Sequence, residues 1–301
     1  MGTTLRLTLK ASRFEVVSTL IAGWAVALAA LLLPALVPGQ AGSEWVGRTF
    51  AAAAALPFLA GLILGVPLVS RELESGTAVL AWTLGRSRRR WFLTRLSVLG
   101  GVMIAALAPA AAATERLEGW QQAAVSPGQS LVDYGARGWP LLGRGLLILA
   151  VAALLGLILG RQLPALIVAV VSVAIALLVG AAIVRGYLDG RSVYLPMAEA
   201  GSLSHAGDLD TGLVECLAPD GRILSVESAL AMESPGTTAT PNPQGDVGDD
   251  LCGNAQLLAV VRSAPGQVYP DTQRFELGLE AAGMGACIGA ALVVLPVRRA
   301  V

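Results

Sequence analysis

Two nearly uncharged stretches flank a short, strongly charged one in the first third of the chain. Phe50–Val69 is apolar apart from Gly and Pro, and Leu96–Ala113 is apolar apart from Ser97, Gly and Pro. Between them, Arg71–Arg95 (RELESGTAVLAWTLGRSRRRWFLTR) carries six arginines and two glutamates. At about 1.5 Å per helical residue, each flank is long enough to cross a hydrocarbon core of about 30 Å. The charged stretch is therefore expected to be a loop between two membrane spans. Its arginine excess assigns it to the cytoplasm, and that orients the rest of the chain.

Composition agrees with the membrane class. The chain is 55% hydrophobic and 14% charged, with a mean hydropathy of +0.68; soluble domains carry about 25% charged residues. Formal net charge is zero, and no basic domain exists to bind nucleic acid. Arg6, Lys10 and Arg13 precede an apolar run at Val16–Val37. A cleaved signal peptide competes with a retained span there, but the run of about 20 residues exceeds the usual signal core. Residues 1–15 read as a cytoplasmic flank or an interfacial helix.

Further along, spans are expected at Phe50–Ser70, Trp91–Ala113, Pro140–Gly160, Leu163–Val184 and Leu277–Val297. Residues 16–184 thus hold spans 1–5, with the cytoplasmic loop at 71–90, and 276–301 holds span 6 and a tail. Residues 114–139 read as an outer loop, and Arg161-Gln162 as a tight inner turn. The segment 185–275 is the one region suited to fold in water, as a small extracytoplasmic domain. Its CLAPDGRILSV run, with Pro-Asp-Gly between apolar stretches, predicts a β-hairpin. This arrangement puts 12 of the 21 basic residues and only Glu15, Glu72 and Glu74 of the acids inside. The expected fold is an all-α integral membrane protein of six spans, with an outer domain that is partly β and both termini cytoplasmic.

Several chemistries are disfavoured. No Gly-x-x-x-x-Gly-Lys-Ser/Thr phosphate loop occurs, and Lys10 is the sole lysine. His205 is the sole histidine, so a multi-histidine metal site is ruled out, and no Gly-x-Ser-x-Gly turn accompanies it. Cys216 and Cys252 both fall in the outer domain, where an even pair reads as a disulfide. Such a bridge would close a loop of about 37 residues and contribute about 3–4 kcal/mol. Gly61-x-x-x-Gly65 in span 2 gives a small-residue face where another helix can approach closely, span 4 carries Gly156-x-x-x-Gly160, and Cys287 reads as a packing residue beside Gly285-x-x-x-Gly289. Glu276 and Glu280, one turn apart at the outer end of span 6, and Arg144, at the outer end of span 4, are the charges nearest the membrane interior. Interface anchoring and a role in substrate exit are both open for them.

The Glu-x-Glu-x-Gly-Thr run (Glu72, Glu74, Gly76, Thr77) and the Ser-Arg-x-x-Trp run (Ser87, Arg88, Trp91) resemble the first cytoplasmic loop of ABC-2 type transporter permeases. The likeness is to half-size, six-span membrane subunits of bacterial ABC exporters. It implies a cytoplasmic coupling helix between spans 2 and 3, with Arg71, Glu72, Glu74, Gly76, Thr77, Arg86, Ser87 and Arg88 as ATPase-coupling residues. It also implies a non-enzymatic subunit of the bacterial cytoplasmic membrane. The cofactors, ATP and Mg, would sit on a partner ABC ATPase, and the permease would pair with a second copy or a paralogue. An apolar or amphipathic cargo suits the uncharged spans. The outer domain leaves an alternative: a sensor or assembly subunit that binds a ligand or partner there. An intramembrane enzyme is disfavoured, because the spans lack paired mid-membrane acids or histidines.

Overall fold

A computed structural model describes residues 12–36, 40–76, 87–121, 127–196, 209–225 and 258–297. Among the described residues, six helices are long and apolar enough to cross a membrane, matching the six expected spans. The chain divides into two compact units: residues 1–121, 133–184 and 273–301 form one, and 122–132 with 185–272 form the other.

The first unit is a helical bundle. α1 (Arg13–Leu36) lies mainly against α4 (Arg88–Gln121), and α2 (Gln40–Gly65) against α5 (Pro140–Leu159). Apolar helices in lipid gain nothing by hiding from water, so they associate through close packing, and small residues decide where. A Cβ on Gly23 of α1 would lie 2.2 Å from the Ala106 carbonyl oxygen of α4. Gly61 and Gly65 of α2 meet α5 at Ile148, Leu149 and Ala152 in the same way. That is the close approach their spacing predicts. Gly156 packs against the Val66 carbonyl, whereas Gly160 ends α5 in the left-handed region at φ 67°. The expected third pair behaves otherwise: among the described residues, nothing approaches Gly285 or Gly289 within 4 Å.

Leu64, Phe92, Leu99, Met103, Leu107, Leu149 and Leu157 fill the centre of this bundle. α6 (Gln162–Asp189) instead exposes Leu163, Ile167, Ile175 and Leu178, the pattern of a lipid-facing helix. The second span is interrupted at one point. Pro67 has no N–H to continue the ladder, so α2 ends at Gly65 and α3 (Pro67–Glu74) follows through Val66, which keeps helical dihedrals of φ −61° and ψ −50°.

The third span departs from expectation. Residues 114–121, read as the start of an outer loop, continue α4 to Gln121. The Thr114 hydroxyl bonds back to the Ala110 and Ala111 carbonyls, and Leu117 and Glu118 are buried. Packing therefore carries the helix past the point where apolar composition ends. α7 (Tyr269–Val297) likewise begins well before its apolar run.

The second unit holds an antiparallel sheet of order β1-β4-β2-β3, with β1 at Val193–Pro196, β2 at Leu209–Leu217, β3 at Ile223–Ser225 and β4 at Leu258–Ala264. The Pro-Asp-Gly segment joins β2 to β3, pairing Cys216 with Leu224. Gly221 takes φ 80° there, and the Asp220 carboxylate accepts from the Arg222 N–H at 3.0 Å. β4 is central, burying Ala259, Val260, Val261 and Ala264. Arg262 ties it to the end of α6, donating to the Asp189 carbonyl at 2.7 Å and the Ser192 hydroxyl at 2.6 Å. Cys216 is fully buried on β2. Its expected partner Cys252 lies outside the described residues, as do His205, residues 1–11 of the amino-terminal flank, and Arg298 and Arg299.

Candidate functional site

The charged loop begins from α3, a two-turn amphipathic helix. Leu68 and Val69 are buried, while Arg71 and Glu74 are exposed. Its end is specified locally: the Ser75 N–H bonds to the Arg71 carbonyl, and the Gly76 N–H to that of Leu73. Gly76 has φ 71°, a conformation that disfavours any side chain. Thr77 and Arg86 lie outside the described residues.

Both acids of α3 have partners within the chain. Glu72 forms an ion pair with Arg95 of α4, with the two side chains only 20% and 15% exposed. Arg95 also donates to the Leu68 carbonyl at 3.4 Å and stacks over the Trp91 ring at 4.5 Å. Glu74 accepts the N–H of Gln162, the first residue of α6, at 3.1 Å. A carboxylate there satisfies an orphan helix donor and lies favourably in the helix dipole. Arg71 reaches Glu15 of α1 at 3.5 Å, and Arg88 reaches the Leu295 carbonyl of α7 at 3.5 Å. The loop-side ends of α1, α3, α4, α6 and α7 are thus joined by polar contacts, and Gly156 brings α5 against Val66 beside them.

Ser87 has a plain local role. Its hydroxyl accepts the Arg90 N–H at 3.2 Å, capping α4. Arg88, Arg89 and Arg90 then fill the first turn, where the helix dipole disfavours cations by about 0.3–1 kcal/mol each. They do not serve α4 itself, so their presence calls for another reason, such as membrane topology. Arg95 and Gln162 were missed as partners by sequence reasoning. Nothing in the spacing marks Gln162, but Arg95 lies one turn inside the span expected from Trp91, where a charge needs a counter-ion.

A second cluster joins the first turns of α5 to α7. Arg144 donates to Glu276 Oε1 from Nε at 2.8 Å and from Nη2 at 2.5 Å, and to the Gly135 carbonyl from Nη1 at 2.5 Å. Glu280 Oε1 stands 3.6 Å from Arg144 Nε. The structure therefore brings together the three charges singled out near the membrane interior. It adds Gly143, missed by sequence reasoning, where a Cβ would lie 1.8 Å from Glu280 Oε2. Nearby in the same unit, fully buried Arg137 lies 3.6 Å from Glu115 of α4. Among the described residues, no group of three or more His, Cys, Asp or Glu is placed to hold a metal.

A family model described as ABC-2 membrane transporter related matches residues 39–185. The matched segment is similar to that family and covers just under half of the chain, taking in α2 to α5 and most of α6. It includes the α3 acids, Arg95 and Arg144, and excludes Glu276 and Glu280 on α7. With the six membrane-length helices among the described residues, that likeness points to a component of a membrane transporter. No curated protein and no solved structure matches the chain.

The Glu74 contact makes a local prediction. Glu74→Gln removes the charge facing the α6 amino terminus, a loss of about 0.3–1 kcal/mol. Amide hydrogen exchange at Gln162, Leu163 and Ala165 should accelerate severalfold in the variant, with the other helices unchanged. Equal exchange in both proteins would remove the capping role.

Proposed function

We propose that the chain is the membrane-spanning permease subunit of an ATP-driven ABC-2 type exporter. ATP and Mg would be bound by a separate ABC ATPase, since these 301 residues contain no phosphate loop. The charged loop faces the cytoplasm, both termini lie on that side, and residues 185–275 lie outside. Two copies, or one copy and a paralogue, pair with two ATPases to move an apolar or amphipathic cargo outward.

The observation that carries this reading is the fastening of α3. A short helix linked through Glu72 to α4 and through Glu74 to α6 cannot be displaced without straining both. An ATPase engaging the exposed loop after Glu74, with Arg71, Gly76, Thr77, Arg86, Ser87 and Arg88 around it, would then move several spans together. On this reading Glu72 and Glu74 transmit force within the permease rather than touch the ATPase. A sensor or assembly subunit is the second reading, favoured by the separate unit built on the four-stranded sheet.

The test is purification of the chain from its native membrane with its complexes intact. An ABC ATPase should accompany it in near-equal amount, and the Glu72→Gln/Glu74→Gln variant should retain the ATPase yet lose most vectorial export. Normal export by the double variant would remove the force-transmitting role, and absence of any ATPase would overturn the exporter reading. We also propose the Cys216–Cys252 bridge, which would staple β2 to a segment rich in Gly and Pro. A non-reducing digest should give the two peptides linked in mass spectra; recovery of both as free thiols from membranes kept oxidised would refute it.

A further inference from the structure

The cluster at α5 and α7 contains one guanidinium and two carboxylates, and the guanidinium is already committed. Arg144 spends its forked donors on Glu276 and on the Gly135 carbonyl. Glu280 is left at 3.6 Å from the nearest guanidinium nitrogen, too far for a good hydrogen bond. Both glutamates are only 6% exposed. The Oε2 atoms of Glu276 and Glu280 have no hydrogen-bond partner among the described residues. Burying a carboxylate oxygen without a hydrogen-bond partner is costly, and ionisable groups in a span mark a functional pathway.

The surroundings narrow what could complete the site. Glu280 Oε2 occupies the space that any side chain at position 143 would fill, so Gly143 forms a notch for it. Beside the notch lie Leu277, and Leu147 against Gly283. Calcium takes six to eight oxygen ligands and magnesium a near-ideal octahedron. Two carboxylates, already sharing an arginine and walled by leucines, suit a hard metal ion poorly. An ammonium on an apolar body fits better, because it needs one or two acceptors and buries the rest against the leucines.

We propose that Glu280, seated in the Gly143 notch beside Arg144, receives the cationic group of an amphipathic organic cation. Glu276 takes the short hydrogen bonds of the arginine, and Glu280 supplies the charge-assisted contact. This rests on the exporter reading and names its cargo class as amphipathic cations.

The test is equilibrium binding to the full chain in lipid nanodiscs, without ATPase. The probe is monodansylcadaverine, a fluorescent primary ammonium, against its neutral N-acetyl derivative. The wild type should bind the ammonium at least about tenfold more tightly than the acetylated probe. Glu280→Gln should abolish that preference, Glu280→Asp should keep part of it, and Gly143→Ala should weaken it by crowding Oε2. If Glu280→Gln fails to fold, judged by its elution and melting, the other two variants decide. Equal binding of the two probes, or an unchanged preference in Glu280→Gln or in Gly143→Ala, would overturn the proposal. So would displacement of the probe by calcium or sodium, at constant ionic strength, at the probe's own affinity. Because no ATPase enters the assay, its failure leaves the exporter reading standing, and a missing ATPase complex leaves the binding result standing.

Discussion

Replacing Gly23 with alanine is expected to force α1 and α4 apart and to destabilise the bundle by about 1–3 kcal/mol. The added methyl would lie 2.2 Å from the Ala106 carbonyl oxygen, 2.8 Å from its carbonyl carbon and 3.0 Å from its Cα. These are backbone atoms of a neighbouring helix, so no side-chain rotation relieves the clash. Helix propensity works the other way, since alanine is better than glycine by about 1 kcal/mol. The clash should win, because separating two helices forfeits contacts along their whole length. The check is thermal unfolding of the purified protein followed by tryptophan fluorescence. The transition should fall by several degrees for Gly23→Ala and stay level or rise for Gly278→Ala and Gly285→Ala, where nothing lies within 4 Å. A Gly23→Ala protein that melts with the wild type would mean that α1 and α4 do not touch there.

The second large effect is expected at Arg95. Arg95→Gln removes a counter-ion from Glu72 together with the contacts to the Leu68 carbonyl and the Trp91 ring. Loss of one partner from a fully buried pair costs about 3–5 kcal/mol. Some water reaches this pair, so about 1–3 kcal/mol is expected. Glu72→Gln should cost less, because Arg95 keeps its other two contacts. The double variant should cost less than the sum of the two, the mark of a direct coupling. Denaturant unfolding of the four proteins completes the cycle, and additive effects would dissolve the pair. In the exporter reading, Arg95→Gln should also lower export while ATPase still co-purifies, since the loop is presented but α3 no longer pulls on α4.

These two sites differ in how far they could be read in advance. Gly61 and Gly65 stand at small-residue spacing, and their contact with α5 was expected in kind though not in partner. Gly23 has only Ala27 at that spacing, a weaker small-residue pair, and the crossing point of α1 over Ala106 makes it critical. Gly285 and Gly289 show the reverse, a motif at the right spacing with nothing among the described residues within 4 Å of either position. Spacing says that a close approach is possible; the arrangement of neighbours decides whether one occurs.

The six membrane-length helices, the charged loop between the second and third and the sheet-forming segment near Pro219-Asp220-Gly221 all follow from local chain properties. Length of an apolar run, exclusion of charge from lipid and the φ preferences of Pro and Gly act within a few residues, so the sequence by itself determines them. The ends of α4 and α7 do not follow, because Glu118 and Tyr269 are helical through packing rather than hydropathy. The pairings do not follow either. Glu72 with Arg95, Glu74 with the first N–H of α6, and Arg144 between Glu276 and Gly135 each join residues from different helices. In lipid every apolar helix face is equally content, so which faces meet rests on shape and on where a buried charge finds its partner. Those are properties of the assembled bundle, and only the tertiary structure decided them.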